Sequence, residues 1–241
     1  MPRFFVPITN IDKGTVIITP PDAVHIGRSL RMRLGDDITV CCQAVEYTCK
    51  ILTISDERVV CRIISKERCE SEPNVQLTLF QAVPKGDKLD MIVQKAVELG
   101  ASRICPVLTT RCVSRPDKKS FAKKLERLNR IALEAAKQSG RGIIPRVCQL
   151  MDIQQAADEL GKCEFPIICY EGGGINLSQV GLTENSTIGV FIGSEGGFDP
   201  KEVELCREKG AAVVGLGKRI LRCETAPITA LSIVMNLTGN I

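Results

Sequence analysis

The stretch VQLTLFQAVPKGDKLDMIVQKAVELGASRICPVLTT, residues 75–110, changes its hydrophobic period twice and so decides the fold. Residues 75–83 form a near-continuous apolar run, the pattern of a strand covered on both faces. Leu89, Val93, Ala96 and Val97 then share one helical face; Asp87 is placed to cap that helix, Asp90 stands three residues on, and Gly100 stops it. SRICPVLTT, residues 102–110, is the next strand.

Working outward, the same rhythm continues. A long basic helix is expected over 118–138, a strand near RVCQL, a helix over 152–160, the strands PIICY and TIGVFIG, a helix from Pro200, the strand AAVVGLG and a closing helix over 226–238. Alternating strands and helices predict an α/β domain with a parallel sheet. Residues 1–70 read differently. RFFVPI, GTVIIT, DDITVCCQAV, YTCKILTIS and RVVCRIIS are short β segments punctuated by turn residues, which predicts a small β-barrel. The polar stretch KERCESEPN, residues 66–74, is the candidate linker, so the expected domains are 1–70 and 74–241.

Composition narrows the chemistry. The 241 residues are 44% hydrophobic, enough for a real core, but only 4% aromatic with no Trp, so stacking on a row of exposed rings is excluded as the main mode of nucleic-acid recognition. Net charge is +4, and the basic residues cluster in HIGRSLRMRLGD (25–36) and RPDKKSFAKKLERLNR (115–130). The twelve cysteines include no C-x-x-C pair and His25 is the only histidine, so no zinc ligand set is expected and the thiols read as reduced, mostly core residues. MPRFFVPITN has no apolar signal region and no run approaches a membrane span, so a cytoplasmic protein with no membrane contact is expected.

Three strand exits are polar or glycine-rich: CYEGGG (169–174), FIGSEGG (191–197) and GLGKRILRCETA (215–226). Ligands of open α/β sheets bind outside the carboxyl ends of strands, so these exits predict one converging pocket. In IGSEGGFDPKEVE, Asp199, Pro200 and Glu202 form a helix start, which leaves Glu195 without a structural explanation. The loops lack the Lys and Ser/Thr of a P-loop and the dinucleotide fingerprint, and bare backbone flanked by Ile220 and Leu221 suits an adenosyl group. Thr225 is placed to cap the last helix, and Arg222 could pair with Glu224.

In this order, KGDKLDMIVQKAVELG, EAAKQSGR with Pro145 following, IGSEGGF and LGKRILRCETA resemble the RsmE family of 16S ribosomal RNA methyltransferases, members of the SPOUT superfamily. MPRFF and HIGRSLRMRLGD resemble that family's PUA-like RNA-binding barrel. Two departures are Ser194, where Pro is common, and Leu128, where the basic helix often has Trp. The resemblance implies a deep trefoil knot in the C-terminal domain, a homodimer, and methylation of N3 of one uridine in the decoding region of 16S rRNA in the small ribosomal subunit.

It also implies an S-adenosyl-L-methionine site built from the three exits. Tyr170 and Glu171 would come from the first, Ile192, Gly193, Gly196 and Gly197 from the second, and Leu216, Gly217, Ile220, Leu221, Thr225 and Ala226 from the third. Arg222, Glu195 and Glu134 are the expected catalytic residues: Arg222 to favour the N3 anion, one carboxylate to take the proton. Arg3, His25, Arg28, Arg31, Arg33, Lys123, Lys124, Gln138 and Arg141 are the expected RNA contacts. The alternatives are a catalytically silent ribosome-assembly factor and a SPOUT enzyme acting on transfer RNA.

Overall fold

The computed structural model describes the backbone of residues 1–241 and every side chain except that of Lys118, a member of the expected basic run that lies outside the described residues. The chain divides into two compact units, Met1–Glu72 with Ala136–Ile143, and Pro73–Ala135 with Ile144–Ile241.

The first unit holds β1 (Arg3–Phe5), β2 (Ile11–Asp12), β3 (Thr15–Ile18), a short helix α1 (Asp22–Val24) that widens into a π turn over His25–Ser29, β4 (Asp37–Cys42), β5 (Val45–Ile54) and β6 (Val59–Arg68). They form one sheet in the order β1-β4-β5-β6-β3-β2, and bulges at Thr48/Cys49 and Ile51/Thr53 bend the long β5–β6 pair. Alternation sends Phe4, Val16, Ile18, Ile38, Val40, Ile51 and Val59 into one core. Two features differ from the sequence reading. The expected linker begins as strand, since β6 runs to Arg68, and Cys69 is buried. The segment Ala136–Ile143 belongs to this unit, although the expected second domain included it. It is held by Glu72, whose carboxylate accepts hydrogen bonds from Arg141 Nε (2.9 Å), Arg141 Nη2 (2.8 Å) and the Gly142 N–H (2.7 Å). A Cβ at Gly142 would lie 2.6 Å from Cys69 Cβ, so only glycine allows the approach.

The second unit runs β7 (Gln76–Ala82), α2 (Lys88–Glu98), β8 (Arg103–Leu108), α3 (Lys118–Gln138), β9 (Arg146–Val147), β10 (Met151–Asp152), α4 (Ile153–Leu160), β11 (Phe165–Cys169), β12 (Thr187–Ile192), α5 (Pro200–Glu208), β13 (Ala212–Val214) and α6 (Thr225–Leu237). Its sheet order is β10-β8-β7-β12-β11-β13, with β9 also on β8 and every pair parallel. One core joins Phe80 of β7 and Phe191 of β12 to Ala156, Ala157 and Leu160 of α4 and Val203 and Cys206 of α5. Leu89, Ile92 and Val93 of α2, and Ala230, Leu231 and Val234 of α6, are buried as well. That double coverage is why β7 reads as a continuous apolar run instead of an alternating one.

Local caps follow the sequence unevenly. Asp199 and Glu202 make the expected capping box around α5. Asp87 precedes α2 but its side chain makes no cap; Arg127 of α3 draws it away instead, at 3.2 Å. Thr225 is the first residue of α6 rather than its cap.

Candidate cofactor pocket at the strand exits

β12, β11 and β13 are adjacent and parallel, so their carboxyl ends open on the same side. Tyr170 N–H donates to Val214 O (2.9 Å) and Gly215 N–H to Ile175 O (3.1 Å), which folds the β11 exit onto β13. Gly174 permits this, because a Cβ there would lie 2.3 Å from Val213 O. Residues of all three exits line one pocket. Every residue expected at the cofactor site lines it, except Gly196 and Thr225.

The β12 exit shows why bare backbone is needed and where. The Gly197 N–H closes a tight turn on Ser194 O (3.0 Å), with Gly197 at φ +66°. A Cβ on Gly197 would lie 2.0 Å from Glu171 Oε1, and one on Gly193 would lie 3.2 Å from the Gly197 backbone. Gly196 faces away from the pocket: a Cβ there meets Arg111 Cβ at 3.0 Å, and Arg111 Nη1 donates to Gly196 O (3.2 Å). Gly196, expected at the cofactor site, is not among the residues that line the pocket. Thr225, exposed in the first turn of α6, also lies off the lining.

Sequence reasoning missed a fourth exit. The loop after β8 is tied to the β12 exit by Ser194 Oγ donating to Arg111 O (3.3 Å) and by Glu202 accepting the Thr110 N–H (2.7 Å). Glu202 is only 4% exposed, so its second bond explains a burial that helix capping alone does not. Ser194, Lys218, Arg219 and Cys223 also line the pocket without having been singled out for it, although all four lie inside the quoted exits. Burial pushes the Cys223 thiol up to about 12, so it is a neutral wall and not a nucleophile.

Glu195 now has partners. It accepts the Lys85 N–H (3.1 Å), from the loop before α2, and the Lys88 ammonium (2.9 Å), from the first residue of α2. Burial pulls its pKa upward, but the hydrogen bonds from Lys88, from its own N–H and from Lys85 outweigh that and hold it below the usual carboxylate range. It does not line the pocket. Arg222 has an exposed side chain between the lining residues Leu221 and Cys223, and among the described residues that side chain makes no hydrogen bond or ion pair. The pairing with Glu224 does not form; Lys88 holds Glu224 instead, at 3.3 Å. The Arg222 carbonyl accepts the Thr225 (2.8 Å) and Ala226 (2.9 Å) N–H groups, which fixes the start of α6. Glu134 is exposed on α3.

The expected RNA contacts separate into two groups. His25, Arg31 and Arg33 are exposed in the first unit, Lys123 is exposed on α3, and so is Gln138 at its end. Lys124 donates to Gly86 O (3.2 Å), and Arg28 is exposed but paired with Asp56. Two of the expected contacts are structural. Arg141 is 2% exposed in its bidentate pair with Glu72, and Arg3 is tied to Glu46 (2.7 Å) and Cys41 Sγ (2.8 Å). Neither guanidinium reaches solvent freely enough to meet a phosphate. Among the described residues no group of three or more His, Cys, Asp or Glu gathers as metal ligands, and no helix is long and apolar enough to cross a membrane.

A parallel α/β unit with a pocket at its strand exits, in one chain with a β-rich PUA-like unit, defines an RNA methyltransferase architecture: residues 70–235 match the RNA methyltransferase domain family and residues 18–64 the RNA methyltransferase PUA domain family. The chain is 36% identical to the ribosomal RNA small subunit methyltransferase E of Bacillus subtilis, covering 97% of this chain and 96% of that one. It belongs to the ribosomal RNA small subunit methyltransferase E family. Among solved structures, the small subunit methyltransferase E of Neisseria gonorrhoeae bound to S-adenosylmethionine superposes with TM-score 0.86 at 31% identity, over 99% of this chain and 98% of that one. A methyltransferase from Legionella pneumophila in complex with the same cofactor superposes with TM-score 0.86 at 31% identity, over 97% and 96%.

Proposed function

We propose that this chain methylates N3 of a single uridine in the decoding region of 16S ribosomal RNA in the small subunit, with S-adenosylmethionine as donor. The observation that carries the reading is the pocket at the exits of β11, β12 and β13, where Gly193 and Gly197 leave main chain bare and Ile192, Leu216, Ile220 and Leu221 supply apolar surface. Those residues fit an adenosyl group: backbone amides and carbonyls can read the base edge while the aliphatic side chains cover its faces. Glu171, beside Gly197, is placed for polar contacts to the cofactor. The bound cofactor supplies an electrophilic methyl group on a sulfonium.

The residues of the chain do the rest. Uracil N3 must lose its proton before its lone pair can attack, and the unpaired Arg222 guanidinium favours the resulting anion by facing a uracil carbonyl oxygen. Holding the base in line with the methyl group supplies much of the remaining acceleration. Glu195, engaged by Lys88 and Lys85, shapes its loop, and a carboxylate, Glu195 or Glu134, takes the N3 proton. His25, Arg31 and Arg33 of the first unit and Lys123 of α3 hold RNA phosphates, while the second unit carries the chemistry. A homodimer, a knotted second unit and a cytoplasmic location complete the proposal.

Isothermal titration of the purified protein with S-adenosylhomocysteine tests it. Binding with unit stoichiometry per chain supports the reading; RNA binding with no affinity for S-adenosylhomocysteine identifies a silent RNA-binding protein instead.

A further inference from the structure

Beside the pocket lies a charged junction whose three ionic side chains, Lys88, Glu195 and Glu224, do not themselves line the cavity. Lys88 is the first residue of α2. Its ammonium lies 2.9 Å from Glu195 Oε1 and 3.3 Å from Glu224 Oε2, with Cys223 Sγ at 3.7 Å. Cys223 Sγ in turn lies 3.2 Å from Glu224 Oε2. Glu195 stands between the lining residues Ser194 and Gly197, and Glu224 between the lining residues Cys223 and Ala226. One cation therefore joins two separate segments of the pocket wall and anchors both to the first turn of α2.

We propose that Lys88 is a positioning residue for the cofactor pocket, holding the β12 and β13 exits in the arrangement that binds the donor. This rests on the reading of the pocket as an S-adenosylmethionine site. Three features support it. The junction sets one ammonium against two carboxylates, so removing Lys88 leaves Glu195 and Glu224 with an uncompensated like-charge repulsion that pushes the two wall segments apart. The Lys85 N–H, in the loop that leads into α2, also holds the Glu195 carboxylate, so the attachment includes main chain and not only one mobile side chain. Each of the three side chains keeps partial contact with solvent, so each pair alone is modest; the effect is read in the loops, which open at far lower cost than the sheet beneath them. The hydrogen bond to Glu195 also raises the Lys88 pKa, and Glu195 and Glu224 are both lowered, so all three stay charged together at neutral pH.

The test compares Lys88→Met, Lys88→Arg and Glu224→Gln with the wild type by isothermal titration with S-adenosylhomocysteine and by steady-state methyl transfer to small ribosomal subunits. Lys88→Met is expected to raise Kd for S-adenosylhomocysteine and KM for S-adenosylmethionine together by about tenfold, the loss of two partly exposed pairs, with kcat at saturation within about twofold. Lys88→Arg keeps the charge and restores affinity to within about threefold. In a Glu224→Gln background the Lys88→Met effect shrinks, because the two side chains act through one contact. Affinity in Lys88→Met within twofold of wild type overturns the proposal, as does a Lys88→Arg protein as weak as Lys88→Met, or a loss confined to kcat. Should Lys88→Met not fold, Glu195→Gln and Glu224→Gln each remove one arm, and undiminished binding in both overturns it equally. A wild-type protein that binds no S-adenosylhomocysteine refutes the pocket assignment instead.

Discussion

Replacing Gly197 by alanine measures how far the pocket depends on bare backbone. At φ +66° an L side chain costs about 1–2 kcal/mol in the left-handed region. The added Cβ would also lie 2.0 Å from Glu171 Oε1 and 2.6 Å from its Cδ. Because that carboxylate is the far end of a flexible side chain, it swings away at small cost, and the backbone strain is the larger effect. If the free loop relaxes, binding must restore it, and Kd for S-adenosylhomocysteine rises by a factor of about 5–30 for 1–2 kcal/mol. If it does not relax, the same energy is lost from folding stability. Titration calorimetry and urea unfolding on one preparation together account for it. Gly196→Ala is the control: that Cβ meets Arg111 Cβ at 3.0 Å and Arg111 O at 3.2 Å, on the side away from the pocket. Its Kd should change by less than about threefold. A Gly197→Ala protein unchanged in both assays, or a Gly196→Ala protein that binds more weakly than Gly197→Ala, refutes the assignment of the bare face.

Other perturbations address different parts of the account. Arg222→Ala should lower kcat for methyl transfer about a hundredfold while Kd for S-adenosylhomocysteine moves less than threefold, as expected for a group that acts only in the transition state; equal losses would make it a binding residue. Glu72→Gln removes the negative charge that faces the buried Arg141 and should destabilise the first unit by about 3–5 kcal/mol at pH 7, measured by urea unfolding. Burial raises the Glu72 pKa, but the Arg141 hydrogen bonds and charge outweigh this and leave it depressed; its contribution is therefore full above the unfolded value of about 4.3 and is lost as pH falls through the lower folded value. The gap between wild type and Glu72→Gln should accordingly narrow below about pH 4. Arg33→Ala should weaken RNA binding and reduce the salt slope of log K by about one, with stability unchanged, whereas Arg141→Ala should act on stability first.

What the sequence revealed depended on the range of the interaction. The alternation of β7, α2 and β8 was legible because a doubly covered strand and a one-faced helix each write their period into consecutive residues. The Asp199–Glu202 box was legible for the same reason, being complete within four positions of one turn. Asp87 carries a similar local signal and still makes no cap, because Arg127 from α3 competes for it. Long-range pairing left no such trace. Arg3 with Glu46 and Arg141 with Glu72 read as basic surface until burial showed them as internal pairs. Glu195 looked unattached in its loop because its partners lie in the loop before α2 and at the first residue of α2. Gly196 and Gly197 were indistinguishable as letters; only the backbone angle and the facing atoms, Arg111 for one and Glu171 for the other, separate them.

The central claim is tested most directly on RNA. Small ribosomal subunits from cells lacking this protein should be incubated with the purified chain and isotope-labelled S-adenosylmethionine, and the 16S rRNA digested and mapped by mass spectrometry. The account predicts one labelled N3-methyluridine, in the decoding region, and about a hundredfold slower labelling of the same nucleotide with Arg222→Ala. Absence of label with the wild-type chain, or label on a different atom or nucleotide, would contradict it.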